Sequence, residues 1–130
     1  MNHESDRKAT IKAISIREPW ASLILTGKKT IETRTWKTSY RGPLLLCAAK
    51  KPNYTEVVPG WITQSSMIAG TAFAICNLVN VRPMTFEDQK LACVYIYDNA
   101  NSWILEDIKP INPRFEVKGK LGLFNVEMPL

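Results

Sequence analysis

The sequence predicts a β-rich α+β domain, most simply a small β-barrel with short flanking helices. Three observations lead there. The apolar runs are short, rich in branched residues and separated by Pro, Gly and Asn clusters, the pattern of many short strands. Only two short stretches have helical character. At 130 residues, 45% hydrophobic and 22% charged, the chain has the composition of one globular domain able to build a core without metals or disulfides.

Residues 1–9 are polar and are expected to be a mobile tail, which leaves 10–130 as a single domain. Residues 11–16 (Ile-Lys-Ala-Ile-Ser-Ile) read as a strand. Pro19 suits the first turn of a helix that continues through Leu25 and stops at Gly27, a natural C-terminal cap. Trp20, Leu23 and Ile24 then share one face and are expected to pack on the sheet. Residues 30–36 read as extended, with Thr30, Glu32, Arg34 and Trp36 on one side. A turn at residues 40–43 leads into 44–49, apolar on both alternations and so predicted to be a central strand covered on both faces.

Residues 53–66 read as a loop or irregular helix. Residues 68–81 predict a long strand whose small side chains allow sharp bending, as a small closed barrel requires. Thr85 can cap a short helix over 86–92, with Glu87 and Asp88 in its first turn. Strands are expected at 94–97 and 102–108 around a turn at 98–101. A Pro-punctuated connection follows at 109–113, then a basic, Gly-bearing turn at 117–122 and a closing strand at 123–127.

Several function classes fall away. The apolar stretches fall far short of the roughly 20 residues a membrane span needs, and the N-terminus lacks the apolar core of a secretion signal, so a cytoplasmic chain without membrane contact is expected. Cys47, Cys76 and Cys93 lack Cys-x-x-Cys spacing, lie among apolar neighbours and read as buried free thiols. The one histidine, His3, is in the tail, which removes His-dependent triads and His-rich metal sites. No metal and no cofactor is implied.

Charge is unevenly spread. Residues 17–51 hold eight of the seventeen bases (Arg17, Lys28, Lys29, Arg34, Lys37, Arg41, Lys50, Lys51) against Glu18 and Glu32, a local charge of +6 in a chain of +5. Residues 52–108 carry two bases against six acids. Such segregation points to a polyanionic partner, or to an acidic protein meeting the same face; a solvated lysine surface produces the same count.

Within that segment, Gly27-x-Lys29-x-x-Glu32-x-Arg34 resembles the signature of the ASCH domain (activating signal cointegrator homology), a relative of the PUA-like barrels that bind RNA. Pro19-Trp20-Ala21-Ser22-Leu23 before it, and Trp36 and Tyr40-Arg41-Gly42 after it, resemble the transcription-coactivator type of this domain. So do Ser102-Trp103-Ile104-Leu105, Ile108-x-Pro110-Ile111 and Lys118-Gly119-x-x-Gly122-Leu123. The resemblance runs over roughly residues 11–127. It implies a PUA-like barrel with a cleft near the motif and a nucleic acid as ligand, RNA before DNA or a single strand. Some small bacterial members are instead amidohydrolases acting on N4-acetylcytidine, and others are described as ribonucleases. In the amidohydrolase pattern a threonine stands where this chain has Glu32. Here Lys29 matches and the threonine is missing.

The candidate site follows from these residues. Lys29 can serve as a fixed cation for a phosphate or carbonyl, or as an amine base if burial or Lys28 lowers its pKa. Glu32 can orient Lys29 or Arg34, accept a proton from a base amino group, or activate water, so Lys29 and Glu32 are the catalytic pair if the chain is an enzyme. Arg34 can bind phosphate bidentately or stack on a base. Trp36, Tyr40 and Arg41 interleave rings with positive charge, as stacking of unpaired nucleotides needs. Arg17, Lys28, Lys118 and Lys120 can add phosphate contacts, and Trp103 is assigned to the core or the cleft wall.

Overall fold

The computed structural model describes residues 9–50 and 68–129. Six strands form one sheet in the order β2-β5-β4-β3-β1-β6. In chain order they are β1 (Thr10–Ile16), β2 (Ile31–Arg34), β3 (Gly42–Ala48), β4 (Thr71–Pro83), β5 (Asn101–Glu116) and β6 (Leu123–Glu127). Helix α1 (Trp20–Leu25) joins β1 to β2, and a 3₁₀ turn (Phe86–Asp88) runs into the short α2 (Gln89–Ala92). The pair β1–β3 is parallel; β1–β6, β2–β5, β3–β4 and β4–β5 are antiparallel.

The reading of residues 44–49 as a doubly covered strand holds. β3 lies between β1 and β4, and its alternation sends Leu44, Leu46 and Ala48 into one core, Leu45 and Cys47 into another. The first core also takes Ile14, Ile16, Phe73, Trp103 and, from α1, Ala21 and Ile24. The bending expected of β4 is present as three register irregularities against β5, between Ala72 and Ala74, Ile75 and Asn77, and Leu78 and Asn80. The sheet thereby curls into a half-barrel. Arg34 on edge strand β2 donates from Nη2 to the Ser15 carbonyl of β1 at 2.8 Å, although three strands separate β2 from β1 in the sheet.

Other expectations are corrected. Residues 94–97 form no strand: the stretch of β5 just beyond the turn, Asn101–Ile104, is already paired with β2 on one edge and β4 on the other. Residues 109–113 are not a connection but part of β5: Pro110 pairs opposite Ala74 beside a register break, where a missing N–H is tolerated. β4 begins at Thr71 rather than at residue 68 and extends to Pro83. β2 ends at Arg34, so Trp36 does not continue its face. Only Ile24 of the expected helical triplet is buried, together with Ala21 and Ser22; Trp20 and Leu23 are half-buried, with Trp20 packed against the core edge. The loop reading for 53–66 concerns residues outside those described.

Gly27 and Thr85 act at the helix boundaries as predicted, whereas Pro19 stands just before α1 as its N-cap rather than in its first turn. The Glu18 carboxylate accepts from the Ser22 N–H at 2.7 Å and from the Ser22 hydroxyl, tying the first turn of α1 to the residue before Pro19. Gly27 has φ of +85°, a left-handed conformation that favours glycine and frees the chain to turn into β2. Thr85 caps the 3₁₀ turn in a reciprocal capping box with Asp88.

Candidate nucleic-acid interface

The ends of the half-barrel, α1, α2 and the turn between β5 and β6 enclose a cleft of about 1730 Å³. That exceeds the roughly 300–1,000 Å³ of ordinary small-molecule pockets. Among the described residues its lining holds eight basic side chains and one acidic side chain, Glu32.

The motif residues form its floor. Gly27 ends α1, the Lys29 N–H donates to the Leu23 carbonyl at 3.0 Å, and the Thr30 N–H donates to the Leu91 carbonyl at 3.0 Å. Lys29 is thereby turned inward and its side chain is 0% exposed. Its amine donates to the Ala92 carbonyl at the end of α2 and lies 3.4 Å from the Glu32 carboxylate. Burial pushes the Lys29 pKa down, and the neighbouring Glu32 charge opposes that shift without overcoming it. Alternation along β2 keeps Glu32 and Arg34 together. Glu32 accepts from Arg34 Nε at 3.2 Å, from Arg34 Nη2 at 2.9 Å and from the Thr33 N–H at 3.2 Å. The carboxylate thus holds both cations in place and has little capacity left for water.

Seven of the ten residues named from the sequence line the cleft. Arg17, Lys28, Lys118 and Lys120 are exposed there, Arg34 is half-buried, and Lys29 and Glu32 lie beneath. The other three do not line it. Trp36 packs edge-on against Trp103, with ring centroids 4.8 Å apart, and its carbonyl accepts from the Trp103 indole N–H at 3.4 Å. Tyr40 packs against the same core and donates its hydroxyl to the Pro43 carbonyl. Arg41 is exposed but folds back, donating from Nη1 to the carbonyls of Thr38 and Tyr40 at 2.8 Å each. Trp103 itself is 0% exposed, in the core as expected.

The sequence reading missed Lys50, Lys90, Tyr95 and Tyr97, all in the lining. Lys50 belongs to the basic segment, whereas the other three arrive through topology. Cys93 departs from its expected burial: it is half-buried, lines the cleft and has φ of +59°. Cys47 and Cys76 are buried, and burial pushes each thiol up to about 12. Gly119 is a close approach, since a Cβ there would stand 2.6 Å from the Ser15 hydroxyl. No cluster of potential metal ligands occurs among the described residues, and no described helix is long and apolar enough to cross a membrane.

Comparison with known proteins gives these features a family. Residues 14–115 match the ASCH domain, and the chain belongs to that family. Activating signal cointegrator 1 from Homo sapiens is 49% identical over 45 residues, and its Mus musculus counterpart is 44% identical over the same length. Each match covers 34% of this chain but only 8% of the relative's length. Among solved structures, ASCH from Zymomonas mobilis has a TM-score of 0.58 at 13% identity, over 89% of this chain and 87% of that one. A point variant of the same protein has a TM-score of 0.57 at 14% identity, over 93% and 91%. At such identities the likeness concerns the fold, a small PUA-like α+β barrel.

Proposed function

We propose that this chain is a nucleic-acid-binding module, RNA before DNA, that holds the phosphate backbone in the cleft around Lys29, Glu32 and Arg34. One observation carries the reading. Six of the eight cleft cations are exposed, and the sole acid among the described lining residues is turned to its own neighbours rather than to the opening. A cleft lined by one sign of charge focuses its field on a polyanion. Membership of a family associated with RNA binding supports the choice of ligand.

Titrating labelled RNA and DNA across a salt series tests it. Affinity is expected to fall with salt at a log–log slope of about 0.7 per phosphate neutralised on a single strand. Joint Lys118→Glu and Lys120→Glu substitutions should lower both affinity and slope. Binding that is independent of salt, or equal for acidic polypeptides and nucleic acids, would sink the reading, the latter in favour of an acidic protein partner.

A second reading, hydrolysis of a modified nucleoside or of RNA, draws on the buried Lys29 amine beside Glu32. It requires that amine or carboxylate to act on substrate. Incubation with N4-acetylcytidine and with RNA, followed by chromatography, checks it. Absence of cytidine and of cleavage products removes it.

A further inference from the structure

The cleft also carries side chains that charge does not explain. Tyr95 and Leu121 line it with 87% and 98% of their surface exposed. Exposed apolar residues are ordinary, and Phe86 outside the cleft is 71% exposed; Tyr95 differs in standing among the cleft cations on a chain segment fixed by hydrogen bonds.

The arm bearing Tyr95 is braced. Cys93, in its left-handed conformation, turns the chain out of α2, and its N–H donates to the Gln89 carbonyl at 2.9 Å. The Ile96 N–H donates to Gln89 Oε1 at 2.7 Å, and the Tyr97 hydroxyl donates to the Thr33 hydroxyl of β2 at 2.9 Å. The Ala100 N–H closes the arm onto the Tyr97 carbonyl at 3.2 Å. An aromatic ring on a pinned arm loses little conformational freedom when a ligand covers it. The aromatics suggested by the sequence are otherwise engaged, Trp36 on Trp103 and Tyr40 on Pro43.

We propose that Tyr95 is a base-stacking platform and that the cleft therefore takes nucleic acid as an unpaired strand. Phosphates face the surrounding lysines and arginines, a nucleobase lies on the Tyr95 ring, and Leu121 gives apolar contact from the β5–β6 turn. The inference rests on the nucleic-acid reading above. In a duplex each base is already stacked on its neighbours, whereas a single strand can splay a base onto a ring, whatever its sequence.

The test compares a short fluorescent single-stranded RNA, the same RNA annealed to its complement, and the DNA counterparts of both, using the full chain. The single strands are expected to bind more tightly than the duplexes. Tyr95→Ala should weaken single-strand binding roughly 5- to 100-fold, leaving duplex binding within about twofold, while Tyr95→Phe keeps wild-type affinity. A fluorescent base analogue in the strand should be quenched on binding wild type and not on binding Tyr95→Ala. At 87% exposure this side chain can be removed without disturbing the core. Lys118→Ala should weaken single and double strands alike. Duplexes bound as tightly as single strands, or single-strand affinity and quenching unchanged in Tyr95→Ala, would overturn the inference while leaving the nucleic-acid reading intact. No salt-sensitive binding of any of the four probes would remove that reading and this inference with it.

Discussion

Around Asp88, one carboxylate collects four donors: Arg82 Nη1 at 2.6 Å and Nη2 at 2.9 Å, the Thr85 N–H at 2.9 Å and the Ser102 hydroxyl at 2.8 Å. Around Glu32, one carboxylate answers to two cations, and the deeper of these, Lys29, completes its shell with a neutral carbonyl. The Asp88 cluster is balanced in charge and does not line the cleft; the Glu32 cluster keeps a positive surplus and forms its floor. Hydrogen bonds from Arg82 hold the Asp88 carboxyl well below the usual carboxylate range, whereas burial pushes the Lys29 ammonium below the usual lysine range. Balanced charge serves the fold. Surplus charge, which the fold carries at a cost, is gathered at the cleft.

Removing the balanced carboxylate should have the largest effect. Asp88→Ala leaves the fully buried Ser102 hydroxyl and the Thr85 N–H without their acceptor, and urea unfolding should record a loss of about 2–4 kcal/mol. Nucleic-acid affinity of the protein that still folds should not change. Since the folded Asp88 pKa lies below the unfolded value of about 3.9, its contribution is full above that value and is lost as pH falls through the folded pKa. An acid titration of stability should therefore be flatter in the variant below about pH 4.

Arg34→Ala comes next, because it cuts the bonds to Glu32 and the bridge to the Ser15 carbonyl. A loss of about 1–3 kcal/mol in chemical denaturation is expected, now accompanied by weaker nucleic-acid binding. If Asp88→Ala weakened binding and Arg34→Ala did not, the contrast between the clusters would fail.

Lys29→Met should be mildest for stability, about 1 kcal/mol by chemical denaturation, since the loss of the donor to the Ala92 carbonyl is offset by removal of a buried charge and Glu32 keeps Arg34. Its signature is at alkaline pH. Below the unfolded lysine pKa of about 10.4, the unfolded chain holds a proton that the folded one more readily gives up, so wild-type stability rises with pH in that window. The rise should vanish in Lys29→Met; persistence would place its origin elsewhere.

Much of this arrangement was legible in the residues, and the failures have physical causes. Residues 44–49 announced a covered strand because both alternations are apolar, and Gly27 announced the end of α1 because few other residues accept its backbone. Residues 94–97 misled because branched and aromatic side chains favour a strand only where a neighbouring strand has an edge to offer. The burial of Lys29 carries no local signal, since its carbonyl partner is 63 positions away. Trp36 stands two residues beyond the end of β2, so strand alternation does not reach it, and its ring packs on Trp103. Lys90 and Tyr95 reach the cleft because the Thr30 N–H, just before β2, donates to the Leu91 carbonyl of α2 and the Lys29 amine donates to the Ala92 carbonyl.

The bond from the Lys29 amine to the Ala92 carbonyl has a bearing on engineering. Ala92 is the last residue of α2, and the arm bearing Tyr95 leaves from the next position. The latch grips main chain, so it is indifferent to which side chains follow. The exposed side chains at 95 and 96 could therefore be exchanged while the signature motif continues to hold the root of the arm, with the packing of Val94 and the Tyr97–Thr33 bond left in place.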